Sequence, residues 1–154
     1  MRPRLALVLA LALSISIAAC GDPLDSRLTW PDFGGVERFA AQAFPVLESR
    51  CAHPGCHGNA QRPFALFAPR RHRLDPAATH RMTPLTDEEM RLTFWQTTAF
   101  LLDTQSAEAS LLLRLPVHPA GHGGVFVFPD RDDYGYRTLH AWIQFALDDA
   151  PTSP

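Results

Sequence analysis

Cys51, Cys56 and His57 stand together in the stretch CAHPGCHG, residues 51–58. Two thiols and an imidazole in so short a span can close a disulfide beside a histidine, bind a metal ion, or attach a planar cofactor at its edge and reach its metal from beneath. A disulfide would close a short loop, which gains least in the chain-entropy account, and it leaves His57 without a reason. Zinc is commonly held by Cys and His. Here, however, Cys56 and His57 are adjacent, neighbouring side chains diverge, and no second Cys/His pair of conventional spacing follows. Covalent haem uses all three residues. Two sulfurs bond two vinyl groups and the next residue reaches the iron. The usual pattern is C-x-x-C-H, whereas this sequence reads C-x4-C-H. Pro54-Gly55 is the favoured central pair of a type II turn, and such a turn would fold the extra residues out while keeping the sulfurs near vinyl spacing.

The third cysteine has a different setting. Met1 to Arg4 is basic, and Leu5 to Ala19 is an apolar run. It is too short for a transmembrane helix, which takes about 20 apolar residues, and it reads as a signal-peptide core. It ends in Ile17-Ala18-Ala19-Cys20, similar to a bacterial lipobox, so residues 1–19 are expected to be removed and Cys20 lipidated. Gly21 follows where Asp would mark inner-membrane retention. By resemblance to sorting rules in double-membrane bacteria, the protein is expected in the cell envelope, lipid-anchored to the outer membrane and facing the periplasm. With Cys20 so used, Cys51 and Cys56 remain as a pair in an oxidising compartment.

The chain carries 14 basic and 16 acidic residues in 154. A mildly acidic balance without a basic face gives no footprint for nucleic acid. Residues 20–35, rich in Gly, Pro and Asp, read as a tether. Val36 to Arg50 has apolar residues at helical spacing, with Pro45 placed to kink or restart the helix. Residues 58–85 lack periodicity and read as a long loop of the kind that serves a function or wraps a ligand. Thr86 and Glu89 form a capping-box pattern opening a largely buried helix to Leu102. Ser106 is placed to cap a short helix through Arg114, and Pro116 ends it. A Gly-rich loop, His118 to Asp130, leads to a last helix over 133–147 that Asp132 or Asp133 can cap. The fold class expected is all-α: about four helices with long loops, occupying 36–148, and a short tail over 149–154.

At this point the chain resembles a c-type cytochrome domain. The resemblance runs over residues 36–148. It rests on RCAHPGCHG after a first helix, EASLLLRLPV before a Gly-rich loop, and YGYRTLHAWIQFAL at the close. It implies a cytochrome c-like fold whose first and last helices cross, with Phe39, Phe44, Tyr136, Leu139 and Trp142 at the crossing. It implies one covalent haem c, with Cys51 and Cys56 as attachment points and His57 as an iron ligand. The family's second ligand precedes the last helix, often as Met followed by Pro. No Met follows Met90 here, and His122 in AGHGGV takes that place, with Gly121, Gly123 and Gly124 giving room beside a flat ligand. His118, Met82 or an open site are the alternatives. His53, His72, His80 and His140 read as surface or helix-packing residues. Arg70, Arg71 and Arg73 read either as a solvated basic turn or as partners of haem propionates.

The function implied is electron transfer by a membrane-anchored carrier, with an unidentified redox partner and no acid–base pair that would make it an enzyme. A peroxidase or gas sensor with an open iron site is one alternative. Another is a non-haem lipoprotein with a Cys51–Cys56 disulfide or a zinc site. The anchor is testable on its own, since stable anchoring takes more than one acyl chain and a lipobox cysteine acquires several. Cys20→Ser should release a soluble periplasmic form or leave an uncleaved precursor on fractionation. A variant that fractionates and migrates like the parent chain would remove the lipobox reading.

Overall fold

The structure, a computed structural model, describes residues 33–123 and 125–148. The expected signal peptide, Cys20, most of the tether, Gly124 and the tail over 149–154 lie outside the described residues. Among the described residues every regular element is helical, and no strand occurs. Helix α1 (Gly35–Arg38), a π-helical segment (Phe39–Ala43) and α2 (Phe44–Arg50) form one continuous run. A short 3-10 turn (Pro76–Ala78) interrupts the long loop. Helix α3 spans Asp87–Leu101 and α4 spans Leu111–Arg114, a second 3-10 turn (Pro119–Gly121) follows, and α5 spans Tyr134–Asp148. None of these helices is long and apolar enough to cross a membrane.

Pro45 explains the π segment. It has no N–H to donate and its ring crowds the carbonyl four residues back. The run answers not with a break but with a wider turn just before it, in which the Phe44 N–H donates to Phe39 O, five residues back. Such single wide turns are a recognised relief in helices. The kink expected at Pro45 is thus a local widening.

The core gathers where the first run, α3 and α5 meet. Phe39 is fully buried, with ring centroids 6.2 Å from Phe44, 5.4 Å from Phe94 and 5.5 Å from Trp142. Phe44, Tyr136, Leu139 and Trp142 are also buried, as the apolar spacing predicts. The folded body begins ahead of the expected boundary at 36. Phe33 is buried, its ring lies 6.1 Å from Trp142, and its carbonyl accepts from Trp142 Nε1 at 3.1 Å.

Two helices differ from expectation. In α3 the buried residues are Glu89, Thr93, Thr97 and Thr98, while Trp95 and Phe100 are 58% and 60% exposed. Buried threonines are tolerated because each hydroxyl donates to a carbonyl of the preceding turn, as Thr93 Oγ1 does to Glu89 O at 2.8 Å and Thr97 Oγ1 to Thr93 O at 2.7 Å. Helix α4 starts at Leu111, not at 107. Asp103 Oδ1 captures the N–H groups of Gln105 and Ser106 at 2.8 and 3.1 Å, so this stretch closes as a turn, and Ser106 Oγ donates to Glu108 instead of capping. Asp133 caps α5, its Oδ1 accepting from Gly135 N at 2.7 Å.

The long loop is tied to α3 by a buried ion pair. Arg73 Nε and Nη2 donate to the two carboxylate oxygens of Glu89 at 2.9 and 2.8 Å, and its remaining donors reach Thr83 O at 3.0 Å and Pro84 O at 3.0 Å. Glu89 also accepts from the Thr86 and Leu74 N–H groups at 2.9 Å each, completing the capping box. Burial alone would raise the Glu89 pKa, but the Arg73 hydrogen bond and those backbone donors outweigh it and bring it down to about 2 from an ordinary 4.5. Because the folded value is the lower one, this contribution is complete above about pH 4.5 and is lost as pH falls through about 2. Glu89→Gln leaves Arg73 buried without its counter-charge and should cost about 3–5 kcal/mol at pH 7. Denaturant unfolding of both proteins checks this, and the gap between them should narrow as the pH is taken below 4.5.

Candidate functional site

The α2 helix delivers Cys51 to the site. The Cys51 and Ala52 N–H groups both donate to Leu47 O at 2.9 Å, which ends the helix at the first cysteine. A turn follows in which the Cys56 N–H donates to His53 O at 2.8 Å. Pro54 and Gly55 are its central residues, as expected. The turn is not type II, though, because Gly55 does not adopt the left-handed φ that type requires. Its geometry is set instead by His53, whose Nδ1 accepts from the Gly55 N–H at 3.2 Å. The six-residue span then closes on itself, the His57 N–H donating to Cys51 O at 3.1 Å and the Gly58 N–H to His53 O at 3.0 Å.

His57 is clamped. Its carbonyl accepts from the Leu66 N–H at 2.6 Å, and its Nδ1 lies 2.8 Å from Phe64 O. A carbonyl can only accept, so Nδ1 carries the proton and, in the neutral ring, Nε2 keeps the lone pair. The Phe64 ring adds an edge contact at 5.0 Å. The Phe64 carbonyl thereby orients the ring and fixes its tautomer.

His122 comes to the same place from 65 positions along the chain. Its ring centroid lies 5.8 Å from that of His57, with the planes at 66°. Burial, and then the nearby His57, lower its pKa, which favours the neutral ring. The Gly-rich loop that carries it turns through Gly123 at φ 60°, where a Cβ would meet nothing within 4 Å. His118 is exposed, and Met82 is 67% exposed.

The two thiols differ. Cys51 is buried and Cys56 exposed, and they are not bonded to each other. Burial pushes the Cys51 thiol up to about 12, with Cys56 adding to the rise and Arg50 opposing it. A thiol that keeps its proton is a poor metal ligand and a slow partner in disulfide exchange. Among the described residues no three His, Cys, Asp or Glu side chains converge as a metal cage.

His57 and His122 are two imidazole donors that could serve one metal centre, and with only two such donors meeting there among the described residues they would suit a cofactor that brings donors of its own, such as haem, more than a bare ion.

The other candidates fall elsewhere. Arg73 is fully engaged with Glu89, Thr83 and Pro84, and Arg71 Nη1 donates to Glu48 O at 2.7 Å. The propionate role considered for Arg73 is therefore replaced by a structural one. His72 stacks on Phe67 at 4.5 Å, and His140 pairs with Glu108 at 2.6 Å. Phe64 O and Gly58 are what the sequence reading missed. Nothing in a residue's type marks its carbonyl as an acceptor, but the glycine directly after CH was a visible signal. No family model, curated protein or solved structure matches the chain.

Gly58 and Gly55 separate cleanly. A Cβ on Gly58 would stand 2.0 Å from Ala52 O, an impossible approach to main chain, whereas one on Gly55 would meet only His53 Nδ1 at 3.4 Å. Gly58→Ala should destabilise by about 3 kcal/mol or more through backbone displacement. Gly55→Ala should stay within about 1 kcal/mol of the parent chain. Thermal unfolding of the two variants side by side tests the contrast.

Proposed function

We propose that the chain is a mono-haem c-type cytochrome with a cytochrome c-like all-α body, an electron carrier held in the envelope by lipid on Cys20. The observation that carries this reading is the meeting of His57 and His122 at 5.8 Å beside two unbonded thiols. Cys51 and Cys56 would form thioethers to the cofactor, His57 would hold one face of the iron, and His122 the other. Bound haem supplies a one-electron couple. The chain's part is to fix ligand identity and orientation. The Phe64 carbonyl holds the His57 ring in one tautomer, the Cys51 carbonyl and Leu66 N–H pin its backbone, and Gly58 lets the two arms of the loop touch.

Two histidines favour a six-coordinate carrier over an open peroxidase or sensor site. They also imply a lower potential than a His/Met pair, since Met ligation raises it. Zinc would need further donors beside Cys51, Cys56 and His57, and among the described residues no three His, Cys, Asp or Glu side chains converge.

Mature protein made with a haem-ligation system should carry one haem that survives acid–acetone extraction, and Cys51→Ala with Cys56→Ala should abolish it. His122→Ala should keep the covalent haem but change it from low-spin to high-spin, with carbon monoxide now binding the reduced form. Absorption spectra read all of these. A stable colourless protein, or a parent chain already high-spin, would overturn the assignment.

A further inference from the structure

Helix α3 carries its large rings on the outside. Thr93 and Thr97 take the buried side, whereas Trp95 and Phe100 are mostly exposed. The two rings meet each other, with centroids 5.7 Å apart and planes at 86°. They form one patch and not two separate exposures. Acids are confined to the first turn, at Asp87, Glu88 and Glu89, and from Met90 to Leu102 the only charged residue is Arg91. Single apolar side chains are ordinary on a protein surface, but a contiguous apolar patch marks an interaction site.

The place of the patch in the fold says what covers it. Phe94, the neighbour of Trp95, packs on Phe39 at 5.4 Å, and both Phe39 and Phe33 pack on Trp142. Helix α1, the first turn of the body, lies directly against α3. The chain therefore enters the body beside the element that bears the patch. From Cys20, the residue expected to carry lipid, to Phe33 is only thirteen Cα–Cα steps. Even fully extended they reach no more than about 45 Å, against about 30 Å for the width of a small domain. A body held so near a bilayer meets it continually, so a weak affinity is enough for occupancy. Trp suits a lipid–water interface, since its ring is apolar and its N–H can meet headgroups or water.

We propose that Trp95 and Phe100 seat this face of α3 in the interface of the bilayer that holds Cys20. The inference rests on the lipid-anchor reading above for its nearness to lipid, and not on haem. The net charge of −2 gives no attraction to anionic headgroups, so burial of the rings supplies the affinity. Binding therefore needs no anionic lipid and resists salt.

The test uses the mature chain, residues 20–154, with Cys20→Ser so that no acyl chain contributes. It should co-sediment with phosphatidylcholine vesicles, with a partition coefficient that does not fall as the Debye length shrinks from about 10 to about 3 Å, between roughly 0.1 and 1 M salt. Trp95→Ser with Phe100→Ser should lower that coefficient about tenfold or more. Both positions are exposed, so the thermal midpoint should stay close to that of the parent chain. Tyr134→Ser should partition like the parent chain, because Tyr134 is 74% exposed but stands on α5. Equal uptake of parent and double variant, or no uptake of either, overturns the patch. So does self-association of the parent chain in sedimentation velocity that the double variant loses, with no uptake by vesicles, which gives the rings to a second copy. The anchor is read separately, by fractionation of full-length Cys20→Ser. If that chain fractionates like the parent, the lipid-anchor reading fails alone, and ring-dependent uptake by vesicles still upholds the patch.

Discussion

The ring of Phe39 is where three helices meet. It belongs to the first run, touches Phe94 of α3 and Trp142 of α5, and is sealed from solvent. Burying a side chain of that size contributes about 1.5–3 kcal/mol in transfer terms alone, and the aromatic contacts add to it. Trp142 extends the same contact to Phe33 through ring packing and its Nε1 hydrogen bond. Once these rings are seated, the C-terminal end of α2 has a fixed position. Cys51 stands at that end, so the geometry of the candidate site inherits its frame from a cluster of buried aromatic rings.

The second fixed point is polar. Arg73 and Glu89 lock the middle of a long loop to the first turn of α3, and each uses nearly all of its hydrogen-bonding capacity within the protein. A loop with this many prolines and no helical pattern would otherwise have little to hold it. Through that loop run Phe64 and Leu66, the two residues whose main chains grip His57. The apolar contact places the thiols, and the ion pair steadies the segment that orients the imidazole.

Much of the helical frame was legible in the sequence, because helix periodicity and caps are local. The Thr86–Glu89 capping box and the buried faces of the first run and α5 follow from spacing alone. Where long-range contact decided the outcome, sequence misled. Arg73 reads as a surface cation until its partner 16 positions away is known. Trp95 and Phe100 read as core, yet threonines took the inner face of α3. Asp103 pre-empted the helix start expected at Ser106 by a side-chain turn. In the candidate site, Cys51, Cys56 and His57 are neighbours by chain order, and the structure adds the ring of His122 at 5.8 Å from that of His57. The turn type was not legible, since His53 replaces a left-handed glycine as the element that shapes it.

The wide turn at Phe39–Ala43 has a geometric corollary. Each residue of an α-helix advances the chain by about 100° around its axis, and a π turn inserts one residue more than the α pattern needs. The phase between Phe39, which faces the aromatic junction, and Cys51, which ends the run inside the core, is therefore not that of an uninterrupted helix of the same length. It is offset by roughly one residue's rotation. Pro45, by forcing that offset, acts as an angular spacer, and the azimuth of the Cys51 thiol about the helix is set six residues earlier in the chain.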